Sequence, residues 1–430
     1  VADKQTPTRI GFLVDGDPDT DLLSALYEFD ELGVRVKVPY LAHADDRSRW
    51  WSQGIMFMDD VDRSKHDYRP PTELYYYDSE GSVALVGCHS GRGKQRFGGT
   101  TPATGVGVIN ARYAVEGAWA AAHYVKPNGL RSEMDGLGHW LGYSALTSVF
   151  KFNKDDEQSY EISTTAKAVD AMPLARSMNL RAVARAIGSG HQTPDVTYQS
   201  RVFLQTFKKS GSAWDEHLAP HNAVRSLLRV AAWKPINFQS HEAASRKETV
   251  TIRGEEKQTW SKVRTAVTGI APLSWSPADR FLFTYADIGR VGVGKWLKLV
   301  TEYSRGIEPL VRLLDLEGAT LDAHMSQIGI AVEAVGYQSL IESGLTPSAA
   351  NNVKVKPRVD HLLKEVAGTH AFEPTFAQDF TDSYNSVKHA NRAVVSPQAK
   401  IEHYREGVRL LRAWVAVKVG VPASIVATRW

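Results

Sequence analysis

The sequence predicts an α+β protein in which a β-rich N-terminal region precedes a C-terminal all-α helical bundle. Two changes of texture along the chain carry this expectation. Up to about residue 295, short apolar runs alternate with Gly, Pro and Asn turn signals such as Asp15-Gly16 and Pro127-Asn128-Gly129, the pattern of strands and tight connections. Beyond that point apolar residues recur at intervals of three and four over long stretches, as on one face of a helix. A length of 430 residues is also more than one core usually organises, so division into domains is expected.

In chain order, residues 10–14, 34–38, 83–86, 106–109, 196–207 and 224–232 read as strands, and residues 21–32, 134–143 and 174–187 as interspersed helices. The charged stretch 241–257 reads as a solvated loop or hairpin tip. Residues 295–314 place Trp296, Leu297, Val300, Ile307, Leu310, Val311 and Leu314 at helical spacing, and 321–340 does the same with Leu321, Met325, Ile328, Val332 and Val335. A shorter amphipathic piece covers 359–366. Helices are then expected over 375–392 and 399–419, the second stopped by Gly420 and Pro422. Long helices with short connections form a bundle. The expected domains are 1–295, a sensing or regulatory region with two subregions dividing near 150–190, and 296–430, the helical part.

Composition is that of a folded protein: 43% hydrophobic, 10% aromatic and 23% charged residues, with a formal net charge of +3. So small an excess does not mark a nucleic-acid binder by charge alone. With Cys88 the only cysteine, no disulfide can form within the chain, which fits a reducing compartment. No run approaches about 18 apolar residues, and the polar first ten residues do not read as a secretory signal. The expected location is the cytoplasm, with no membrane contact.

Several motifs fail inspection. Gly91-Arg92-Gly93-Lys94 opens a basic glycine-rich stretch to Thr100, but Gly87 stands too far from Gly93-Lys94 and Gln95 replaces the Ser/Thr of a phosphate loop. Cys88-His89 has no second pair at zinc spacing, and Pro220 between His217 and His221 argues against a regular helix aligning them. These read as a flexible basic loop and scattered surface histidines. No cofactor and no metal are expected, and no Gly-x-Ser-x-Gly elbow occurs.

The informative stretch is 375–392. Phe376, Phe380 and Val387 form one stripe, while Gln378, Asp382, Asn385, His389 and Arg392 recur at steps of four, three, four and three on another face. An amide one turn from an imidazole can orient a phosphate or the ring. A histidine can move a proton to or from a hydroxyl near neutral pH, and a guanidinium can neutralise a phosphate. A polar face with one histidine equally serves as a plain solvated surface, and the residues alone leave both readings open.

The run Tyr384-Asn385-Ser386-Val387-Lys388-His389-Ala390-Asn391-Arg392 resembles the active-site helix of HEPN domains, whose motif is Arg, a polar residue, three variable positions and His. Asn385 and His389 match. The stretch AHMSQIGIAVEAVGYQSL resembles the first long HEPN helix, and LRSEMDGLGHWLG and RFLFTYADIGRVGVGKWLKLV resemble segments of the ApeA family of antiphage abortive-infection proteins, which join a β-rich N-terminal region to a HEPN domain. The resemblance spans most of the chain. It implies metal-independent RNA cleavage, with tRNA among the candidate substrates, in a homodimer sharing a composite site and set off by a phage-derived trigger at the N-terminal region. It further implies His389 as general acid or base, Asn385 as orienting residue, Arg392 as oxyanion stabiliser, and Lys388, Tyr384 and Asp382 on the substrate. One departure stands out: the motif arginine falls at Tyr384, so Arg392 or Lys388 must replace it or cleavage is weakened. A catalytically degenerate module that binds RNA or nucleotide, and a regulatory protein whose bundle only dimerises, are the alternatives.

Overall fold

A computed structural model of the chain describes residues 8–15, 21–30, 32–41, 50, 51, 69–96, 104–152, 160–189, 196–266, 273, 275 and 280–430. The chain forms two compact units whose segments interleave. The first comprises Val1–Glu133, Leu204–Leu218 and Asn237–Pro272, the second Met134–Phe203, Ala219–Ile236 and Leu273–Trp430. Residues 1–295 and 296–430 therefore do not map one-to-one onto the units.

The first unit is built on strands. They are β1 (Thr8–Val14), β2 (Leu23–Asp30), β3 (Gly33–Leu41), β4 (Glu73–Asp78), β5 (Gly81–Val86), β6 (His89–Ser90), β7 (Lys94–Arg96), β8 (Thr104–Ala111), β9 (Tyr113–Glu116) and β10 (Gly129–Met134). The second unit's strands follow in the chain: β11 (Leu146–Phe152), β12 (Tyr160–Ala166), β13 (Met172–Pro173), β14 (Arg181–Ser189) and β15 (Thr197–Phe207), whose last residues belong to the first unit. Next come β16 (Phe238–Ala244), β17 (Thr249–Ile252), β18 (Glu255–Gln258) and β19 (Ser261–Arg264). Hydrogen-bonded neighbours in the first unit run β10-β16-β19-β9-β5-β4-β1-β2-β3-β8-β6, with β7 also on β8. Strand β5 shows why residues 83–86 are apolar at every position. Val83 and Leu85 enter one buried cluster with Leu13, Tyr27, Val36, Tyr76 and Ile109, while Ala84 and Val86 enter another with Tyr113, Tyr124, Leu130 and Trp214. Side chains alternate across a sheet with period two, so a strand covered on both faces loses its polar positions.

In the second unit β13, β14 and β15 are neighbours in that order, and β11 and β12 form a separate hairpin. Its helices are α1 (Leu137–Leu141), α2 (Trp214–Ala232, from Ala219 onward), α3 (Tyr285–Glu302), α4 (Ser304–Arg312), α5 (Leu321–Glu342), α6 (Pro347–Asn352), α7 (Val355–Glu365), α8 (Phe376–Lys388), α9 (Pro397–Val419) and α10 (Ala423–Ala427). No strand interrupts residues 320–415, as the helical periodicity predicts. Helix starts follow sequence rules. Thr284 and Asp287 form a capping box on α3, and Thr320, Thr346 and Ser396 cap α5, α6 and α9, the last two followed by proline. Gly420, at φ 107°, ends α9 in the left-handed conformation. Helix α5 is central and packs on α4, α6, α7, α8 and α9. Its buried residues, including Met325, Ile328, Ala331, Val332, Val335 and Leu340, lie on more than one face, as expected of a helix surrounded by others.

Six local expectations need correction. Residues 23–30 are strand β2, not helix. Leu22, Leu26 and Phe29 imitate helical spacing, but pairing with β1 and β3 on both sides decides the conformation. Residues 174–187 are likewise not a helix: a turn with Met178 and Asn179 at positive φ breaks the chain, and Arg181–Ser189 extends into β14. Residues 224–232 belong to α2, where Val224, Leu227, Leu228 and Ala231 are fully buried at helical spacing. Helix α2 passes through Pro220, so His217 and His221 lie on a helix after all, and both are buried rather than on the surface. The stretch 295–314 is two helices parted at Tyr303. Within 241–257 the tip is a hairpin turning at Arg253 and Gly254, both at positive φ, but its start continues strand β16. Among the described residues no helix is long and apolar enough to cross a membrane.

Close approach of helices dictates Gly329. A Cβ placed there would lie 2.1–2.6 Å from ring atoms of Tyr384 on α8, well inside van der Waals contact. Gly329→Ala is expected to lower the unfolding free energy by about 1–3 kcal/mol, read by urea denaturation. A neutral or stabilising effect would show that α8 does not pack on α5 as described.

Candidate functional site

Helix α8 owes its orientation to an aromatic stripe at every fourth position. Phe376, Phe380 and Tyr384 are all buried, with Phe372 stacked on Phe376 at 5.3 Å between centroids. Tyr384 thus takes the inward position at the end of the stripe, and Val387 is only half-buried. On α8's other contacts, Ser383 Oγ lies 2.7 Å from His403 Nδ1 of α9. Outward, Gln378 Nε2 donates to Asp382 Oδ2 at 3.0 Å, an ordinary one-turn pair on a solvated face.

The expected helix over 375–392 ends early. Lys388 is its last residue, and His389 is the C-cap, extended at φ −131° and ψ 115°. The sequence beyond explains the stop. Asn391 favours turns over helix interiors, Val394-Val395 prefer extended backbone, and the residue before Pro397 must leave the helical region. The polar stripe therefore continues as a helical face only through Asn385. His389 still donates its backbone N–H to Asn385 O at 2.9 Å, and Arg392 N donates to His389 O at 3.1 Å. A turn, not a further helical turn, thus keeps Arg392 beside His389. Asn385 is half-buried, and Lys388, His389 and Arg392 are exposed. No side-chain hydrogen bond or ion pair joins Asn385, His389 and Arg392 to one another among the described residues.

Tyr384 and Lys388 are brought together, on a partner the sequence did not reveal. Tyr384 Oη donates to Glu333 Oε2 of α5 at 3.0 Å, and Lys388 Nζ lies 3.4 Å from the same oxygen and 5.1 Å from the centre of the Tyr384 ring. Arg358 of α7 reaches Glu333 Oε1 at 3.3 Å and also donates to Glu333 O and Ala350 O. Arg358 is only 5% exposed, and Gly336 on α5 leaves room for its stem, since a Cβ there would sit 2.7 Å from Arg358 Cβ. Burial, and next the charge of Glu333, push the Tyr384 phenol well above the ordinary tyrosine range. At neutral pH Tyr384 is thus a neutral donor committed to a carboxylate. Glu333 and Arg358 were missed because they lie 51 and 26 positions before Tyr384 on other helices. The one available signal was the phenol itself, at a position where the motif has a charge.

The discarded motifs also have positions. Cys88 is buried, and burial pushes its thiol up to about 12. His217 lies 2.9 Å from Thr206 Oγ1 through Nδ1 and 3.1 Å from Pro127 O through Nε2, so both ring nitrogens are engaged within the protein. Burial pushes its pKa down. Among the described residues no group of three or more His, Cys, Asp or Glu is placed to hold a metal ion. Lys94, Gln95 and Arg96 form strand β7, and residues 97–100 of the glycine-rich stretch lie outside the described residues.

Comparison with known proteins decides the relationship. Residues 19–296 match the family model of ApeA N-terminal domain 1. The chain belongs to the ApeA family. No curated protein and no solved structure matches it. Membership sets this ApeA protein in antiphage defence, and the matched segment ends within α3.

The Glu333 cluster makes a pH-dependent prediction. In the folded ApeA chain Tyr384 keeps its proton above the pH near 10 where an unfolded tyrosine loses it. The stability it contributes is complete below about pH 10 and declines as pH rises further. Glu333→Gln removes the charge that opposes ionisation and the carboxylate that pairs Arg358. Tyrosinate absorbance, taken as a difference against Tyr384→Phe, should shift to lower pH, with a loss of about 1–3 kcal/mol in urea denaturation. An unshifted phenol would remove Glu333 from the account.

Proposed function

We propose that this ApeA protein is an abortive-infection ribonuclease whose C-terminal helices form a HEPN domain, with the end of α8 as the cleaving site. The observation that supports this best is local. In the run that resembles the HEPN motif, Asn385, Lys388, His389 and Arg392 gather at one exposed helix end, with the Arg392 amide closed onto the His389 carbonyl. The chemistry asked of them is transesterification. The ribose 2′-oxygen forms a bond to the adjacent phosphorus while the bond to the 5′-oxygen breaks, leaving a cyclic phosphate and a 5′-hydroxyl. One proton leaves the 2′-hydroxyl and one reaches the 5′-oxygen. His389 carries out one of these transfers, as base or as acid, and a second copy of the chain, in a homodimer with the two histidines facing a shared cleft, carries out the opposite one. Asn385 orients the phosphate, Arg392 and Lys388 offset the charge gathering on it, and Asp382 lies along the substrate path. RNA, with tRNA among the candidates, is the substrate, a phage-derived component acting on the N-terminal region is the trigger, and the cytoplasm is the setting.

A second reading has its own observation. Tyr384 occupies the motif's arginine position yet is 3% exposed and bound to Glu333, so it offers no charge to a phosphate. This favours a degenerate module that binds RNA without cutting it.

Incubation of the full chain with RNA in EDTA separates the two. Cleavage is expected, and His389→Ala should slow it by about 10²–10⁴-fold with an unchanged melting temperature, because the residue is exposed beyond the helix. Arg392→Ala should approach that loss if Arg392 stands in for the missing arginine. RNA binding without cleavage selects the second reading, and full activity in His389→Ala discards the site. Light scattering should report a dimer at micromolar concentration; a monomer alone would count against a shared cleft.

A further inference from the structure

The first unit contains a concave site that the proposal above does not use. The turn Pro127-Asn128-Gly129, the loop 208–211 and the segment 245–247 meet around Asn128. Every polar group of Asn128 is engaged. Its N–H donates to Ala244 O at 2.8 Å, its C=O accepts from Lys208 N at 2.7 Å, and its Nδ2 donates to Lys208 O and Lys209 O at 3.1 and 2.8 Å. Its Oδ1 accepts from Arg246 N at 2.8 Å. Asn128 is itself 9% exposed. One buried amide therefore fixes three chain segments, and the site they enclose is held in shape before anything enters it.

The lining is strongly one-signed. Lys126, Lys209, Arg246 and Lys247 line a cavity of about 400 Å³, with no acidic residue among the described residues that line it. Among the described residues none of the four is in an ion pair, whereas neighbouring Lys208, which does not line the cavity, lies 3.5 Å from Glu216. The nearest acidic side chain in sequence, Glu248, is fully buried. It accepts from Trp119 N at 2.9 Å and Tyr124 Oη at 2.7 Å, and contacts His123 Nδ1 at 2.9 Å. Its oxygens are thus engaged by Trp119, His123 and Tyr124, and it does not line the cavity. Four like charges gathered without counterions repel one another, and that cost is offset when a multiply charged anion binds. The cavity falls within the roughly 300–1,000 Å³ of small-molecule sites, which suits one compact ligand better than a length of nucleic-acid strand.

We infer that this pocket binds a small polyphosphate-bearing ligand, a nucleotide or a short inorganic polyphosphate, through Lys126, Lys209, Arg246 and Lys247 on the Asn128 cradle. The lysines act as point charges on non-bridging oxygens, and Arg246 supplies a planar donor pair suited to one phosphate. Ser210, also in the lining, adds a hydroxyl donor. This assignment is independent of ribonuclease activity and stands or falls by a binding measurement.

Calorimetric titration of the full chain with inorganic tripolyphosphate, ATP and a short single-stranded RNA tests it. Tripolyphosphate and ATP are expected to bind, with affinity falling as salt rises. ATP binding more tightly than tripolyphosphate assigns nucleoside contacts to the pocket, and equal affinity assigns the phosphates alone; either supports the site. The double variant Lys209→Gln/Arg246→Gln should weaken binding by about tenfold or more. Both side chains are exposed, so its thermal melt should match the parent's and exclude unfolding as the cause. Lys298→Gln, an exposed change on α3, should leave binding intact. Absence of tripolyphosphate binding, equal binding by the double variant, or binding of RNA alone would overturn the assignment.

Discussion

The helical unit depends on a carboxylate shared by three helices. Glu333 stands near the middle of α5, and its two oxygens serve different neighbours: one the guanidinium of α7, the other the phenol and ammonium of α8. Such a group is costly to desolvate alone and favourable only when its acceptor sites are filled. The contact therefore fixes register as well as distance, since sliding α8 by one turn would leave Glu333 Oε2 and the buried Tyr384 hydroxyl without partners. Gly329 and Gly336 make it possible by letting Tyr384 and Arg358 lie against the backbone of α5. The exposed end of α8 inherits its position from this half-buried anchor, one turn away.

The broad architecture was legible because it rests on periodicity. Strands β1, β3, β5 and β8 and the long helices α5 and α9 each carry enough apolar residues, in runs or at helical spacing, to be recognised locally. The errors fall where two periods coincide or a partner decides. Residues 23–30 satisfy both spacings until β1 and β3 are known to flank them. Residues 181–189 alternate alanine with larger side chains, and alanine's helix preference masks the alternation. Around Pro220 the bias was the reverse: a proline usually ends a helix, yet the buried positions of α2, running from Trp214 through His217 and His221 to Ala231, outweigh its missing hydrogen bond.

The candidate site was legible in one dimension only. Spacing places Asn385 and His389 one turn apart; a backbone hydrogen bond joins them, but His389 has already left the helical conformation there. Spacing is silent on where a helix stops, which the downstream connection to Ser396-Pro397 determines, and on residues contributed from other helices. The Asn128 pocket illustrates the same limit in the first unit. Its turn and its charged loop were each visible as separate local features, while their convergence depends on contacts between residues 80 and 118 positions apart.

Interleaving of the two units bears on the order in which the chain is made. The latter part of α2 is committed to the helical unit. The carbonyls of Val230 and Ala231 accept from the Arg412 guanidinium, Ala223 O accepts from Trp296 Nε1, and Arg229 pairs with Asp315. During synthesis these groups leave the ribosome long before their partners, Arg412 last of all. Val224, Leu227 and Leu228 are buried in the finished fold, so the nascent chain carries an apolar helix with incomplete cover until those later segments are made, a state prone to self-association. A fragment cut between the β-rich and helical sequences would make that interval permanent, which leaves the intact polypeptide as the unit on which folding acts.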